Sequence, residues 1–319
     1  MRVVLHTPGA PGHGVARHAA TLARRLTARG VTIVSSGADV AHTQFTDALW
    51  GTDIAAAAAA FTRWSATAPR PLVVTLHDVP GGDGNPDRDR RRAQGYAQVA
   101  AAADAVVVSA HHEAARLAAT TGHPASVVPL PVDALPIGPT PPWADRVTLG
   151  VLGFVYPGKG HAAVIAAAAR HPSRPLVVAA GAVSPGHGGL WSELARQADA
   201  AGVELLLTGA LDDGAMGAAA RAVTVPVVPS RTVSASGTLA TWWGGDRRPL
   251  VARSPYAVEQ ARERPECLWL YDPDGLVAAI DAVLADPGRS RIGAHPPWPD
   301  VGAAHIAVYR RLLAERARC

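Results

Sequence analysis

The sequence is short of the residues that mark several other classes of protein. Only two cysteines occur among the 319 residues, Cys267 and Cys319, too few for a disulfide framework or for the usual spacing of zinc ligands. No stretch of about 18 uncharged apolar residues predicts a membrane span. The N-terminus leads into a short strand without the apolar segment of a signal peptide. We therefore expect a cytoplasmic protein with no metal site.

Lysine is scarce as well: Lys159 is the only one, and arginine supplies the other basic side chains. The formal net charge is +4, a mild surplus that suits an anionic small substrate or an anionic membrane surface. Nucleic-acid binding would call for a concentrated basic stripe, so we expect no such partner. The most basic segment, residues 88–92, is typical of a solvated helix face, and peripheral contact with anionic lipid is the alternative.

The length of 319 residues indicates two domains of about 150 residues each. Short apolar strands alternate with amphipathic or alanine-rich helices, which predicts parallel sheets with helices on both faces. Strands are predicted at 2–6, 31–35, 39–42, 71–76, 104–108, 125–128, 147–153, 175–180, 203–207, 224–228, 249–252 and 267–271. Helices are predicted at 15–28, 160–169, 190–201, 213–221, 237–244, 273–285 and 301–317.

A proline-rich segment divides this alternation. Six prolines lie between residues 129 and 146, as in a semi-rigid linker. We predict an α/β protein with two Rossmann-like domains, residues 1–130 and 147–300, joined by the linker 131–146, with their sheets facing a central cleft. A terminal helix within 301–319 could pack back toward the first domain. Ligands of such sheets lie at the carboxyl ends of the strands.

The loop at residues 8–14, after the first strand, is rich in glycine and proline. Its backbone amides could approach a phosphate or a sugar, or the loop could be a tight connector. Its spacing, G-x-x-G-x-G, differs from the dinucleotide fingerprint, and Val34-Ser35-Ser36 provides no acidic residue after the second strand. Both features argue against nicotinamide binding.

His77 and Asp78 follow a buried strand. Polar side chains at the carboxyl end of a parallel strand usually face a ligand. His77 could hydrogen-bond a sugar hydroxyl while Asp78 orients it. The alternative is a structural histidine beside a capping aspartate.

Lys159 lies in the turn between a strand and a helix of the second domain. The turn runs from Gly153 to Gly160, and Lys159 stands just before the predicted helix. A lysine beside the exposed amides of a helix suits a diphosphate. The alternative is a solvated surface lysine.

The loop at residues 229–238 is rich in hydroxyl groups. Ser234, Ser236 and Thr238 could bind phosphate oxygens, and Gly237 would let the backbone approach a ligand closely. Serine and threonine are also favoured as helix caps, so capping is the alternative and both roles can hold together.

These segments together resemble the retaining GT-B glycosyltransferases of family 4, over essentially the whole chain. The resemblance includes the glycine loop and first helix, from Gly14 to Leu26, and Thr75-Leu76-His77-Asp78. It also includes the segments 106–109 and 127–133. The turn 152–160 resembles the family's G-x-x-x-P-x-K-G turn.

The resemblance implies a UDP- or GDP-linked sugar donor, a small-molecule or lipid-linked acceptor, and no cofactor. It implies that Lys159 meets the donor diphosphate and that His77 lies near the transferred sugar, and we take both as catalytic. The implied donor-binding residues are Gly14, Gly153, Phe154, Lys159, Ser234, Ser236, Gly237 and Thr238. The implied acceptor-binding residues are His13, Arg17 and Asp78.

Three positions depart from the family. Phe154 stands where many members carry an arginine after the first glycine of the turn. Ser234 and Trp242 occupy the positions of two glutamates, of which the first helps to hold the donor sugar and the second holds the ribose. The hydroxyls of the loop 229–238 could replace the missing carboxylate.

The function predicted from the sequence is hexose transfer with retention of configuration and without a metal. A catalytically weak or silent protein that binds nucleotide sugars is the alternative, motivated by the missing glutamates. A nucleotide-sugar epimerase would need acid and base carboxylates that the sequence does not place. A dehydrogenase is a third possibility.

Overall fold

The computed structural model describes residues 1–8, 14–81 and 85–318. The chain divides into two compact units, and each contains its own parallel sheet of six strands. The first unit joins residues 1–131 to residues 298–319, and the second unit is residues 132–297. All the predicted strands are present within a few residues of their expected places.

The elements are numbered in chain order. The strands are β1 (Arg2–His6), β2 (Thr32–Ile33), β3 (Val40–Phe45), β4 (Leu72–Leu76), β5 (Ala105–Val108), β6 (Ser126–Val127), β7 (Thr148–Leu152), β8 (Leu176–Ala180), β9 (Leu205–Leu207), β10 (Val225–Val228), β11 (Leu250–Ala252) and β12 (Trp269–Tyr271). The helices are α1 (Gly14–Thr27), α2 (Asp47–Trp50), α3 (Ile54–Ser65), α4 (Pro86–Ala101), α5 (His111–Thr121), α6 (His161–Arg170), α7 (Gly188–Ala201), α8 (Asp213–Ala222), α9 (Gly237–Gly244), α10 (Pro255–Glu263), α11 (Leu276–Ala285) and α12 (Val301–Arg316). Short 3-10 turns lie at Pro265–Cys267 and Pro287–Ser290.

The first unit has the strand order β2-β1-β3-β4-β5-β6, with every pair parallel. One hydrophobic cluster, which includes Phe61 and Tyr96, packs α3 and α4 against one face of the sheet. A second cluster, which includes Leu22 and Tyr309, packs α1 and α12 against the other. The terminal helix is therefore part of the core of the first unit.

Strand β3 ends three residues later than the predicted strand 39–42. The added length includes polar residues that follow the apolar start of the strand. His42, Thr43 and Gln44 are all completely or almost completely buried. His42 is accommodated because both ring nitrogens have partners: Nδ1 lies 2.6 Å from the Tyr309 hydroxyl and Nε2 lies 2.8 Å from Thr75 Oγ1.

The second unit has the order β12-β11-β10-β7-β8-β9, all parallel. Counted from β7, this is the order 3-2-1-4-5-6 of the Rossmann fold. Its core contains the valines of the central strands together with Ile165, Leu194 and Ile280 from the surrounding helices. Residues 128–147, the proline-rich segment, form neither helix nor strand.

Candidate functional site

The strand order of the second unit defines one place for a ligand. Strands β7 and β10 are neighbours, and the chain continues from them to opposite sides of the sheet. The loops that follow such a pair diverge, which leaves a crevice at the carboxyl ends of the strands. Here the two loops are 153–160 after β7 and 229–236 after β10, and they carry the glycine turn and the hydroxyl-rich segment.

Lys159 lies in this crevice region as a buried cation. Its side chain is 5% exposed, and its ammonium donates a hydrogen bond of 2.7 Å to Thr238 Oγ1. Within the described chain no carboxylate forms an ion pair with it, although buried charges in proteins are normally paired. Burial lowers the pKa of Lys159 to about 8. An anionic ligand would supply the negative charge that this buried ammonium lacks.

Two glycines shape the backbone around the ammonium. Gly153 has φ +94°, and a Cβ on it would lie 3.4 Å from Lys159 Nζ and 3.5 Å from Thr238 Oγ1. Gly160 has φ +95°, and a Cβ there would lie 2.8 Å from Pro229 Cβ. Glycine at these positions therefore keeps the space beside Lys159 open and lets the two loops meet closely.

The amino end of α9 provides further donors. Ser236 caps the helix, since its Oγ accepts a hydrogen bond of 3.1 Å from the Leu239 amide. Ser236 therefore acts as a helix cap. Gly237 is exposed, and Thr238 contacts Lys159. The first amides of a helix have no partner within the helix, and its dipole favours negative charge there. The ammonium of Lys159 and the amino end of α9 therefore lie next to each other.

His161 is a neighbour of Lys159 that the sequence analysis did not select. It is the first residue of α6 and is 3% exposed, and no described residue offers its Nε2 a hydrogen bond. Burial, assisted by the charge of Lys159, lowers the pKa of His161 to about 4. A neutral imidazole therefore lies beside the ammonium. No sequence signal separates it from an ordinary helix residue.

The departures from the family pattern have different structural outcomes. Phe154 is 44% exposed next to Gly153, so its ring is available to a ligand. Ser234 is partly buried. Trp242 is completely buried in α9, and its Nε1 has no hydrogen-bond partner in the described part of the chain. Neither Ser234 nor Trp242 provides a carboxylate at these positions.

The first unit carries a polar group at the carboxyl ends of β3 and β4. His77 Nε2 lies 2.8 Å from Gln44 Oε1, and because an amide oxygen only accepts, this nitrogen carries the hydrogen. Asp78 accepts a hydrogen bond of 3.1 Å from Thr46 Oγ1. Its φ of +54° is uncommon outside glycine, although aspartate tolerates it. Gln44 lies in the part of β3 beyond the predicted end of the strand, and Thr46 follows it directly, so neither was among the predicted site residues.

Arg92 stabilises the backbone beside this polar group. It forms an ion pair of 3.0 Å with Asp47 and donates a hydrogen bond of 2.8 Å to the backbone oxygen of Asp78. Tyr96, one turn later in α4, donates to the backbone oxygen of His77 at 2.5 Å. Arg92 is thus committed to internal contacts, and Arg90 pairs with Asp87 at 3.3 Å. Two of the four arginines of the 88–92 segment therefore have acidic partners.

His77 also adjoins a set of buried histidines. The His18 ring stands edge-on to the His77 ring with centroids 5.2 Å apart, and His18 Nε2 is buried without a hydrogen-bond partner among the described residues. The rings of His42 and His305 are 5.4 Å apart. Burial is the main cause that lowers the pKa of His18, His42 and His305, the last to about 4. These imidazoles are therefore neutral at pH 7.

Two of the remaining candidate residues, Gly14 and Arg17, lie in the first turns of α1. His13 lies outside the described residues. Arg17 is exposed on α1, and a Cβ added to Gly14 would meet no described atom within 4 Å.

The described part of the chain contains no group of three or more His, Cys, Asp or Glu that could hold a metal ion. Across the same residues, no helix combines the length and apolar character needed to cross a bilayer.

The fold is that of the GT-B glycosyltransferases. No known family model and no curated protein sequence matches the chain. Among solved structures, sucrose-phosphate synthase from Thermosynechococcus elongatus is similar at TM-score 0.70 and 15% identity, over 99% of this chain and 97% of that one. HepE of Anabaena in complex with UDP-glucose is similar at TM-score 0.71 and 15% identity, over 99% of both chains. Trehalose-6-phosphate synthase OtsA is similar at TM-score 0.61 and 11% identity, over 98% and 95%.

Proposed function

We propose that this protein is a glycosyltransferase that transfers a hexose from a nucleoside diphosphate sugar to an acceptor. The observation that carries the proposal is Lys159, a buried ammonium at the amino end of α9. It contacts the Thr238 hydroxyl and the face of the Tyr156 ring but no carboxylate of the described chain. A diphosphate would supply the missing negative charge. Similar folds that hold UDP or UDP-glucose, such as HepE, support a nucleotide-sugar donor, with UDP or GDP as its nucleotide.

Lys159 and the α9 terminus would act on the leaving group. Negative charge grows on the diphosphate as its bond to the sugar breaks, and donors fixed in advance stabilise that charge without having to reorganise. Thr238 would hold the ammonium in place, and the Gly237 amide would bind a phosphate oxygen. Because these groups offset part of the negative charge of the diphosphate, the reaction is proposed to proceed without a metal or a cofactor.

His77 and Asp78 are assigned to the sugar and the acceptor. Gln44 fixes the hydrogen of His77 on Nε2, and Thr46 holds the carboxylate of Asp78. His13 and Arg17 are proposed as further acceptor contacts. No carboxylate among these residues is placed as a nucleophile, which favours transfer with retention of configuration by a front-face route, as in family 4.

The acceptor is proposed to be a small molecule or a lipid-linked one. A lipid-linked acceptor would bring the protein to a membrane surface as a peripheral protein that works on the cytoplasmic side. The pairing of Arg90 and Arg92 with acidic residues leaves less free positive charge on α4 for such contact than the sequence suggested.

A second candidate is a protein that binds nucleotide sugars without transferring the sugar. It is favoured by the side chains at the two positions where family 4 carries glutamates. Trp242 is buried in the core, and Ser234 is short and neutral. Such a protein would keep nucleotide affinity through Lys159 and lose turnover.

The test of the donor site is a thermal-shift titration with UDP, GDP, ADP and TDP. The wild type, Lys159→Met and the control Arg170→Gln would be compared; Arg170 is an exposed cation on the same helix as His161. We expect saturable stabilisation by one or two of the nucleotides in the wild type and the control, and its loss in Lys159→Met. Equal stabilisation of all three proteins would contradict the donor site.

A further inference from the structure

The second unit contains a cavity of about 270 Å³ away from Lys159. It lies at the end of α8, beside Thr224, which immediately precedes β10, and the turn Pro287–Ser290 forms another wall. Lys159 and the 229–236 loop are instead at the carboxyl end of β10. The two places are thus separated by the length of a strand, roughly 15 Å at about 3.3 Å per residue.

Arg247 lines this cavity with a buried, positively charged side chain. It is 3% exposed, and its guanidinium donates only to neutral oxygens. The acceptors are the backbone oxygens of Ala220, Arg221, Thr224 and Ser290 and the hydroxyl of Ser290, at 2.9–3.1 Å. No carboxylate in the described chain pairs with it. The hydrogen bonds are satisfied, but the positive charge has no counter-ion.

Two more arginines line the same cavity. Arg291 is exposed, is joined to Arg247 by an antiparallel backbone bridge, and has no side-chain hydrogen bond or ion pair within the described residues. Arg221 donates to the backbone oxygens of Leu135 and Pro136. No acidic residue lines the cavity; the neighbouring carboxylate, Asp286, is engaged by Arg289 at 3.5 Å.

Three positive charges around one small space are electrostatically unfavourable. Burial is the main cause that lowers the pKa of Arg247 to about 10, and the charge of Arg291 acts in the same direction. An anion in the cavity would remove this repulsion, and a guanidinium group matches phosphate oxygens in geometry as well as in charge. Small-molecule sites occupy roughly 300–1,000 Å³, so this cavity suits a phosphate with a small substituent rather than a nucleotide sugar.

We propose that this cavity binds a phosphate group, either free or at the end of a small phosphorylated molecule. Arg291 is the residue that would contact it directly, because its donors are uncommitted, whereas Arg247 contributes charge from behind. The site is independent of the donor site and does not depend on the proposed transfer reaction.

The experiment measures the thermal midpoint of the full chain during titration with inorganic phosphate and with glucose 6-phosphate. Sodium chloride at matched ionic strength corrects for general salt effects. The wild type is compared with Arg291→Gln, with Arg289→Gln as the neighbouring control, and with Lys159→Met to remove binding at the donor site. Because Arg291 is exposed and has no side-chain partner in the described chain, its replacement leaves the fold intact.

We expect phosphate to stabilise the wild type, Arg289→Gln and Lys159→Met alike, with an apparent affinity at least about tenfold weaker in Arg291→Gln, the loss typical of a charged hydrogen bond. Tighter binding of glucose 6-phosphate would identify a phosphorylated molecule as the ligand, and tighter binding of inorganic phosphate would identify the free ion. The proposal is overturned if Arg291→Gln behaves as the wild type, if the effect disappears in Lys159→Met, or if phosphate acts no differently from chloride.

Discussion

Replacing Lys159 with methionine should stabilise the empty protein while removing its affinity for nucleoside diphosphates. Burial lowers the pKa of this lysine from 10.5 to about 8. The folded protein therefore binds the proton less tightly than the unfolded chain, and its stability rises with pH between these two values. At pH 7 the full cost of the buried ammonium is present, about 3 kcal/mol at about 1.4 kcal/mol per pKa unit.

Methionine has a similar length and no charge, so the substitution should remove most of this destabilisation. The lost hydrogen bond to Thr238 is donated by a charged group and offsets about 2 kcal/mol, which leaves a gain of about 1 kcal/mol. For a domain of this size the unfolding midpoint should rise by roughly 2–4 °C. Nucleotide affinity should fall by about 10- to 100-fold, the value of a charged hydrogen bond.

The assay combines thermal unfolding at pH 7 without ligand and calorimetric titration with the nucleotide that stabilises the wild type best. Arg170→Gln serves as the control, and both of its values should match the wild type. A structural lysine would give the opposite result. A lower midpoint in Lys159→Met, together with unchanged nucleotide affinity, would refute the reasoning.

Three further predictions concern pH and nucleotide recognition. Nucleotide affinity should fall about tenfold between pH 7 and pH 9, because Lys159 loses its proton near pH 8 in the empty protein; a flat calorimetric profile would argue against its charge. The pKa of His305 is lowered to about 4, so its contribution to stability is complete above about pH 6.5 and is lost as the pH falls. Urea unfolding should show a loss of about 2 kcal/mol at pH 5 from this residue alone, and an acid-insensitive free energy of unfolding would contradict its burial as a neutral group. UDP and 2′-deoxy-UDP should bind within about threefold of each other, less than one neutral hydrogen bond, because Ser234 and Trp242 provide no carboxylate for the ribose; strong preference for UDP would reveal another ribose contact.

The two sheets could be predicted from the sequence, and so could the loops that carry the candidate donor residues. Apolar runs between turn residues mark buried parallel strands clearly, and Lys159 stood out as the only lysine in a strand-turn-helix segment. Its contact with Thr238 could be anticipated only in outline, because the two residues are 79 positions apart.

The polar group of the first unit was harder to foresee. Gln44 and His77 meet across neighbouring strands, with 33 positions between them in the chain. The polar residues of β3 looked like the end of a strand, since their partners, such as Tyr309 from α12, come from distant segments. The absence of a counter-ion beside Arg247 is likewise a property of the packed structure and has no local signal.

The measurement that tests the central claim most directly is release of nucleoside diphosphate from UDP- and GDP-linked hexoses, with a panel of small and lipid-linked acceptors. We predict acceptor-dependent release by the wild type and by Arg170→Gln, and a rate at least about 100-fold lower in Lys159→Met, as for loss of one group that stabilises developing charge. Saturable nucleotide binding without release from any donor would contradict the account and identify a binding protein instead.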